Sequence, residues 1–239
     1  METLTTGDIL TCPLPYNLNL CYLDPPYNTG TNFGAFNDQW ANIDAYTAYL
    51  TPRIKRCWDH LAEGGNLIVH VDWRAVHYLK VAIDQFANPN NFHNEIVWAY
   101  NSGGASKRHL SRKHDTLLWW AKGEGWTFNI QREPYATPNV EHRPGFHPDG
   151  RMLTDVWNIP FISTTSKERT GYPTQKPVAL AERIINVFSN PDDLICDPFC
   201  GSGTTGVAAQ QLGRRFYLVD INPDAIATAE QRLSGPSGA

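Results

Sequence analysis

Leu194-Ile195-Cys196-Asp197-Pro198-Phe199-Cys200-Gly201-Ser202-Gly203-Thr204-Thr205-Gly206 joins an apolar run to a glycine-rich turn and then to a helical pattern. Gly201, Gly203 and Gly206 make a GxGxxG, and Asp220 follows Gly201 by 19 residues, at the end of the next apolar run, 216–219. A turn of this kind brings backbone N–H groups and a helix N-terminus close to an anionic group, while an acid at the end of the next strand can take a ribose diol. A GxGxxG by itself is weak, because a tight strand–helix turn needs glycines with or without a ligand. The strand before it, the helix after it and the placed acid favour a cofactor site.

Only 19 residues follow Asp220 in a chain of 239. A dinucleotide fold needs further strand–helix units there. The remaining strands must lie upstream, which is a circularly permuted order. Short apolar runs bounded by turn residues supply them at 20–23, 67–71, 95–100 and 116–120, with a further short strand before Gly7. Helical patterns lie at 43–61, 73–86, 177–188, 204–212 and 223–233. Strands alternating with helices predict an α/β fold, a parallel sheet covered on both faces.

The loop also opens with Asp197-Pro198-Phe199, which dinucleotide binding does not need. S-adenosyl-L-methionine accounts for these residues: its carboxylate suits the helix N-terminus, its ammonium Asp197, and its ribose Asp220.

Asp24-Pro25-Pro26-Tyr27 follows the run 20–23. Two prolines at a strand end cannot continue the ladder, and they predict an open backbone whose carbonyls lack partners within the chain. A proline-rich turn with a solvated Asp24 is the plain alternative. The tetrapeptide nevertheless suits a particular task. The amine of a nucleobase is a poor nucleophile because its lone pair is delocalised into the ring. Hydrogen bonds from its two N–H groups to the Asp24 carboxylate and the Pro25 carbonyl would favour a tetrahedral nitrogen aimed at a methyl-sulfonium. Tyr27 offers a flat face to a base pulled out of its stack.

With these motifs in hand, the chain resembles the β class of DNA amino-methyltransferases of bacterial restriction-modification systems and phages, over roughly residues 6 to 233. Four motifs carry the resemblance: Gly7-Asp8, Asp24-Pro25-Pro26-Tyr27-Asn28-Thr29, Thr174-Gln175-Lys176-Pro177, and Asp197-Pro198-Phe199 through Gly203-Thr204 with Asp220-Ile221-Asn222. The resemblance implies a Rossmann-like methyltransferase fold with a seven-stranded, mostly parallel sheet containing a reversed strand. It implies a catalytic set of Asp24, Pro25, Pro26 and Tyr27. It implies cofactor contacts from Asp8, Ile9, Asp24, Lys176, Asp197, Phe199, Gly201, Ser202, Gly203, Thr204, Asp220, Ile221 and Asn222, with Lys176 near the cofactor carboxylate. Aspartate at position 24 points to adenine N6, whereas cytosine-N4 enzymes usually carry serine there. The ribose acid is more often glutamate in relatives.

DNA contact is expected from Lys107, Arg108, Arg112 and Lys113, although a charge run is most often a solvated loop. The family order makes 129–171 an inserted target-recognition region within a single methyltransferase domain, with Arg143, Lys167 and Arg169 as further contacts. Arg132, His142, His147 and Arg151 also lie there. Its shortness points to a short target or to contacts shared across a homodimer.

Hydrophobic residues at 41% and charged residues at 18% are globular composition. A net charge of −4 argues against a uniformly basic surface but not against a local basic patch. Five cysteines at irregular spacing, with no CxxC, predict reduced thiols and no metal site; Cys196 and Cys200 are read as packing residues. No apolar run reaches membrane-spanning length and the N-terminus lacks a signal-peptide pattern, so a cytoplasmic location is expected. The rival readings are a cytosine-N4 enzyme, a methyltransferase of RNA or of a protein amide, and a binding subunit that holds nucleic acid without turnover.

Overall fold

The computed structural model describes residues 2–33, 37–100 and 104–235. Its main sheet is built from β1 (Glu2–Thr6), β2 (Leu18–Leu23), β3 (Leu61–Val71), β4 (Phe92–Ala99), β5 (His114–Ala121), β6 (Val156–Asn158), β7 (Leu194–Asp197) and β8 (Arg215–Asp220). The spatial order is β1-β8-β7-β2-β3-β5-β4-β6. Only β5 is antiparallel to its neighbours, with Ile68 opposite Trp119 and Ile96 opposite Leu117. The last two βα-related strands thus pair with the first, as the permuted reading predicts: Ile195 lies beside Leu20, and Leu4 beside Leu218.

The sheet has one strand more than expected. The addition is β6, three residues that pair parallel to β4 through Trp157 and Trp98. So short a strand carries no periodicity of its own, and the apolar residues around it, Leu153, Val156, Trp157 and Ile159, are broken up by Thr154, Asp155, Asn158 and Pro160.

Alternation along each strand divides the core into two layers. Cys21, Leu23, Leu67 and Val69 face helices α1 (Ile43–His60) and α2 (Val76–Ala87). Leu20, Tyr22, Ile68 and Phe216 face α3 (Val178–Phe188) and α4 (Thr204–Gln211). The final helix α5 (Pro223–Ser234) starts at Asn222, whose side chain accepts from the Asp224 N–H, with Pro223 in the first turn.

Helix α2 begins at Val76 rather than at Trp73. The Asp72 carboxylate accepts from the Arg74 N–H, and the Asp72 carbonyl accepts from Ala75 and Val76, so a turn occupies the expected first positions. Trp73 is left exposed outside the helix. None of the helices among the described residues is long and apolar enough to cross a membrane.

The parallel strands deliver their ends to one edge of the sheet. Gly7, Asp24, Asp197 and Asp220 all stand there, at or just past the C-termini of β1, β2, β7 and β8. Because β5 runs backwards, its beginning, Asp115, reaches the same edge.

Candidate active site

A cavity of about 490 Å³ opens at this edge. Its wall contains Asp24, Pro25, Pro26 and Tyr27, the loop residues Asp197, Phe199, Gly201, Ser202 and Thr204, and Asp8, Ile9, Lys176, Asp220 and Ile221. Five segments distant in sequence therefore meet around one space.

The glycine loop is braced from behind. Asp220 accepts from the N–H groups of Gly201 at 2.8 Å and Asn222 at 2.9 Å, and the Cys200 N–H donates to the Val219 carbonyl. Gly201, at φ +50°, takes a backbone shape that side chains disfavour. Its two companions do not reach the cavity. A Cβ on Gly203 would stand 2.6 Å from the Cβ of Ala229 on α5, and one on Gly206 would stand 2.6 Å from Leu218. Gly203 lets the loop pack closely against α5, and Gly206 lets α4 pack closely against β8. Asn222 likewise stands off the wall, as the cap of α5.

Asp197 is 2% exposed; it accepts from the Thr205 hydroxyl at 2.5 Å and the Phe199 N–H at 3.0 Å. Burial pushes its carboxyl up to about 7, against those two hydrogen bonds and with the help of the charges of Asp24 and Asp220. Burial also raises the Asp220 carboxyl. The wall carries six aspartates, Asp8, Asp24, Asp38, Asp115, Asp197 and Asp220, against Arg53, Arg169 and Lys176, an acidic balance that favours a cationic ligand over a pyrophosphate. Asp8 is tied to Arg53, whose guanidinium also lies 3.6 Å from the Tyr49 ring centroid.

Asp24 is held on several sides. Lys176 Nζ donates to Oδ1 at 2.9 Å and Oδ2 at 2.7 Å, and the Tyr27 hydroxyl donates to Oδ1 at 2.5 Å. Burial and the Asp24 charge push the Tyr27 hydroxyl well up, so it stays a donor. Lys176 Nζ also lies 4.9 Å from the Tyr27 ring centroid. The next residues are pinned by the buried Asp38, which accepts from the N–H groups of Asn28 and Thr29 and from the Thr29 hydroxyl. The open-backbone expectation holds for one proline and fails for the other. The Pro26 carbonyl accepts from the Tyr46 hydroxyl at 2.6 Å, whereas the Pro25 carbonyl has no donor among the described residues.

Several wall residues carry no local motif: Tyr22, Asp115, Phe161 and Tyr172. The available signal was position. Tyr22 lies near the end of a parallel strand and Asp115 at the start of the reversed one.

Of the residues expected to touch DNA, Arg169 lies on the cavity wall, while Lys107, Arg108, Arg112, Lys113, Arg143 and Lys167 lie outside it. The Arg112 guanidinium stacks 3.8 Å over the exposed Trp73 ring. Within 129–171, Arg132 donates to the Gly150 carbonyl and Arg151 pairs with Glu133 at 2.6 Å, which gives both a structural task. The five cysteines are free and buried. Cys196 is grouped with Cys21 and Cys57, whose sulfurs lie within 4.8 Å of one another in the core.

A permuted Rossmann-like sheet, with a glycine loop and an acidic wall facing an Asp-Pro-Pro-Tyr turn, defines a methyltransferase fold. The comparisons narrow the class. The chain belongs to the N6/N4 family of DNA methylases, whose profile matches residues 18–231. It is 31% identical over 218 residues to the type II methyltransferase M.HpaI of Haemophilus parainfluenzae, covering 91% of this chain and 68% of that one. It is 29% identical over 237 residues to the DNA adenine methyltransferase YhdJ of Escherichia coli (strain K12), covering 91% and 76%. Among solved structures, the M1.HpyAVI–SAM complex superposes with a TM-score of 0.70 at 24% identity, covering 98% of this chain and all of that one. The cytosine-N4-specific PvuII DNA methyltransferase superposes with a TM-score of 0.71 at 16% identity, covering 100% and 88%. At these identities the structural likeness establishes the fold.

Proposed function

We propose that the protein transfers the methyl group of S-adenosyl-L-methionine to the exocyclic amine of a base turned out of double-stranded DNA, and that the acceptor is adenine N6. The observation that carries this reading is the facing of two walls across one cavity. One wall has the Asp24 carboxylate and the Pro25 carbonyl, which has no donor among the described residues; the other has the Asp197–Thr204 loop and Asp220.

The residues fit the cofactor. Asp220 is placed for a ribose diol, Asp197 for an ammonium, and the N-terminus of α4 with Lys176 for a carboxylate. The anionic wall suits a ligand with a sulfonium and an ammonium, and the M1.HpyAVI neighbour was solved with this cofactor. When bound, it supplies an electrophilic methyl group.

The chain's own residues do the rest. Asp24 and the Pro25 carbonyl accept hydrogen bonds from the two N–H groups of the target amine. As the nitrogen turns tetrahedral these bonds strengthen, so they stabilise the transition state more than the ground state. Asp24 then lies where the methylated nitrogen sheds its proton, and no base is needed beforehand. Tyr27 supplies the ring against which the turned-out base rests. Lys176, which pairs with Asp24, would also hold the cofactor carboxylate.

Lys107, Arg108, Arg112 and Lys113 hold phosphates, and Arg143, Lys167 and Arg169 in the 129–171 region contact the target. Adenine is favoured over cytosine by aspartate at position 24 and by the kinship with an enzyme named as a DNA adenine methyltransferase. The test is incubation with unmethylated genomic DNA and methyl-labelled cofactor, followed by digestion to nucleosides. Label in N6-methyladenine supports the reading. Label in N4-methylcytosine reassigns the base, and no label in DNA removes the activity.

A further inference from the structure

His70, near the end of β3, is fully buried and stands between two carboxylates. Its Nδ1 lies 2.9 Å from the Tyr22 hydroxyl and 3.5 Å from Asp24 Oδ1. Its Nε2 faces Asp115 Oδ2 at 3.4 Å, too poorly aligned for a hydrogen bond, and has no other partner among the described residues. The ring is boxed by Trp98 at 5.4 Å edge-on, Tyr27 at 5.8 Å and Tyr22 at 6.2 Å between centroids. Asp115 is itself fixed, since Tyr100 donates its hydroxyl to Oδ1 at 3.0 Å.

Burying a polar ring without full hydrogen bonding costs free energy, and a phenylalanine or leucine would fill the same apolar box without that cost. Packing therefore does not explain a histidine here. Its position does. The ring connects a carboxylate supported by β4 and β5 to the carboxylate that faces the target amine. Asp24 also needs a brace on that side. Its other contacts, Lys176 and Tyr27, are groups that the cofactor and the incoming base would engage.

We propose that His70 is a positioning residue for methyl transfer: its Nδ1 edge, together with Tyr22, sets the direction of the Asp24 carboxylate. This rests on the reading of Asp24 as the acceptor of the target amine's hydrogen bond. Preorganisation of this kind matters because a carboxylate free to turn away presents no aligned acceptor to the amine at the moment the nitrogen rehybridises. His70 does not itself line the cavity, so its substitution changes no side chain of the wall directly, and the affinities report whether Tyr22 and Tyr27 keep their places.

The test compares three variants. An Asn side chain places a polar atom where Nδ1 stands, and a Gln side chain places one where Nε2 stands; either amide can donate or accept, so the tautomer of His70 does not matter. Single-turnover methyl transfer is measured on a defined duplex for His70→Asn, His70→Gln and His70→Leu. Affinities for S-adenosyl-L-methionine and DNA are measured alongside, with Asp24→Ala as reference. His70→Leu and His70→Gln should lose about 10- to 100-fold in rate, as when a group that orients a first contact is removed, with both affinities unchanged. His70→Asn should retain most of the rate. Equal losses for Asn and Gln, a better Gln than Asn, or wild-type rates throughout would overturn the assignment. If His70→Leu fails to fold, the Asn and Gln pair still decides. A wild-type rate for Asp24→Ala would instead remove the underlying reading of Asp24, whatever the His70 variants do.

Discussion

In the proposed site, Asp197 should make cofactor binding depend on pH. Its carboxyl is pushed up to about 7 by burial, helped by the nearby charges of Asp24 and Asp220. An ammonium needs the ionised form. With a pKa of about 7, roughly a tenth of the free protein has Asp197 ionised at pH 6 and roughly nine-tenths at pH 8, so affinity should rise about tenfold over that range. Binding at pH 6 should release close to one proton, and at pH 8 almost none. Titration calorimetry with S-adenosylhomocysteine, in two buffers of different ionisation enthalpy, counts those protons directly. Asp197→Asn should bind more weakly and flatten the dependence, while Asp220, raised in the same direction, supplies the remainder. Stability follows the same linkage with the sign fixed. The folded protein holds this proton more tightly than the unfolded chain, so the contribution of Asp197 falls as pH rises from about 4 to about 7, by about 4 kcal/mol in full. Asp197→Asn should therefore gain on the parent as pH rises through that window. Flat affinity with no proton release would refute the account of this carboxyl.

Tyr27→Ala should slow single-turnover transfer more than Tyr27→Phe, because the ring supports the base and the hydroxyl serves Asp24; equal losses would point to the hydroxyl alone. Replacing any one of Lys107, Arg108, Arg112 or Lys113 by Ala should weaken binding to all duplexes and reduce the slope of log affinity against log salt by about one unit, read by fluorescence anisotropy. An unchanged slope would make the run a solvated loop. Gly203→Ala should lower unfolding stability by about 1–3 kcal/mol in denaturant titration, since φ is +76° and a Cβ would press on Ala229. A neutral result would mean that α5 shifts freely.

The two walls of the cavity were legible because each is a contiguous motif. Asp24–Tyr27 and Asp197–Thr204 are written in adjacent residues, and their distance from one another in sequence is a matter of fold, which the order of strands and helices supplied. What escaped were groups assembled from single residues on separate elements. Tyr22, His70 and Asp115 belong to three strands and Tyr100 lies just past the end of a fourth, and no spacing rule joins them. The reversed direction of β5 is what carries Asp115 to the site. Local competition also moved boundaries: the side chain of Asp72 stops α2 from beginning at Trp73, and the Tyr46 hydroxyl captures the Pro26 carbonyl. In the glycine loop, the pattern could not separate Gly201, at the cavity, from Gly203 and Gly206, which serve packing.

The proposed role of Asp24 is to act on the amine during transfer, not to hold the fold or the cofactor. Its most direct test is the single-turnover rate of Asp24→Ala on a duplex whose methylation by the parent protein has been mapped, with cofactor affinity measured on the same preparation. Loss of one preorganised polar partner typically costs about 10²–10³ in rate, and that loss is predicted here with cofactor binding largely intact. A parental rate for Asp24→Ala would place the chemistry elsewhere in the cavity.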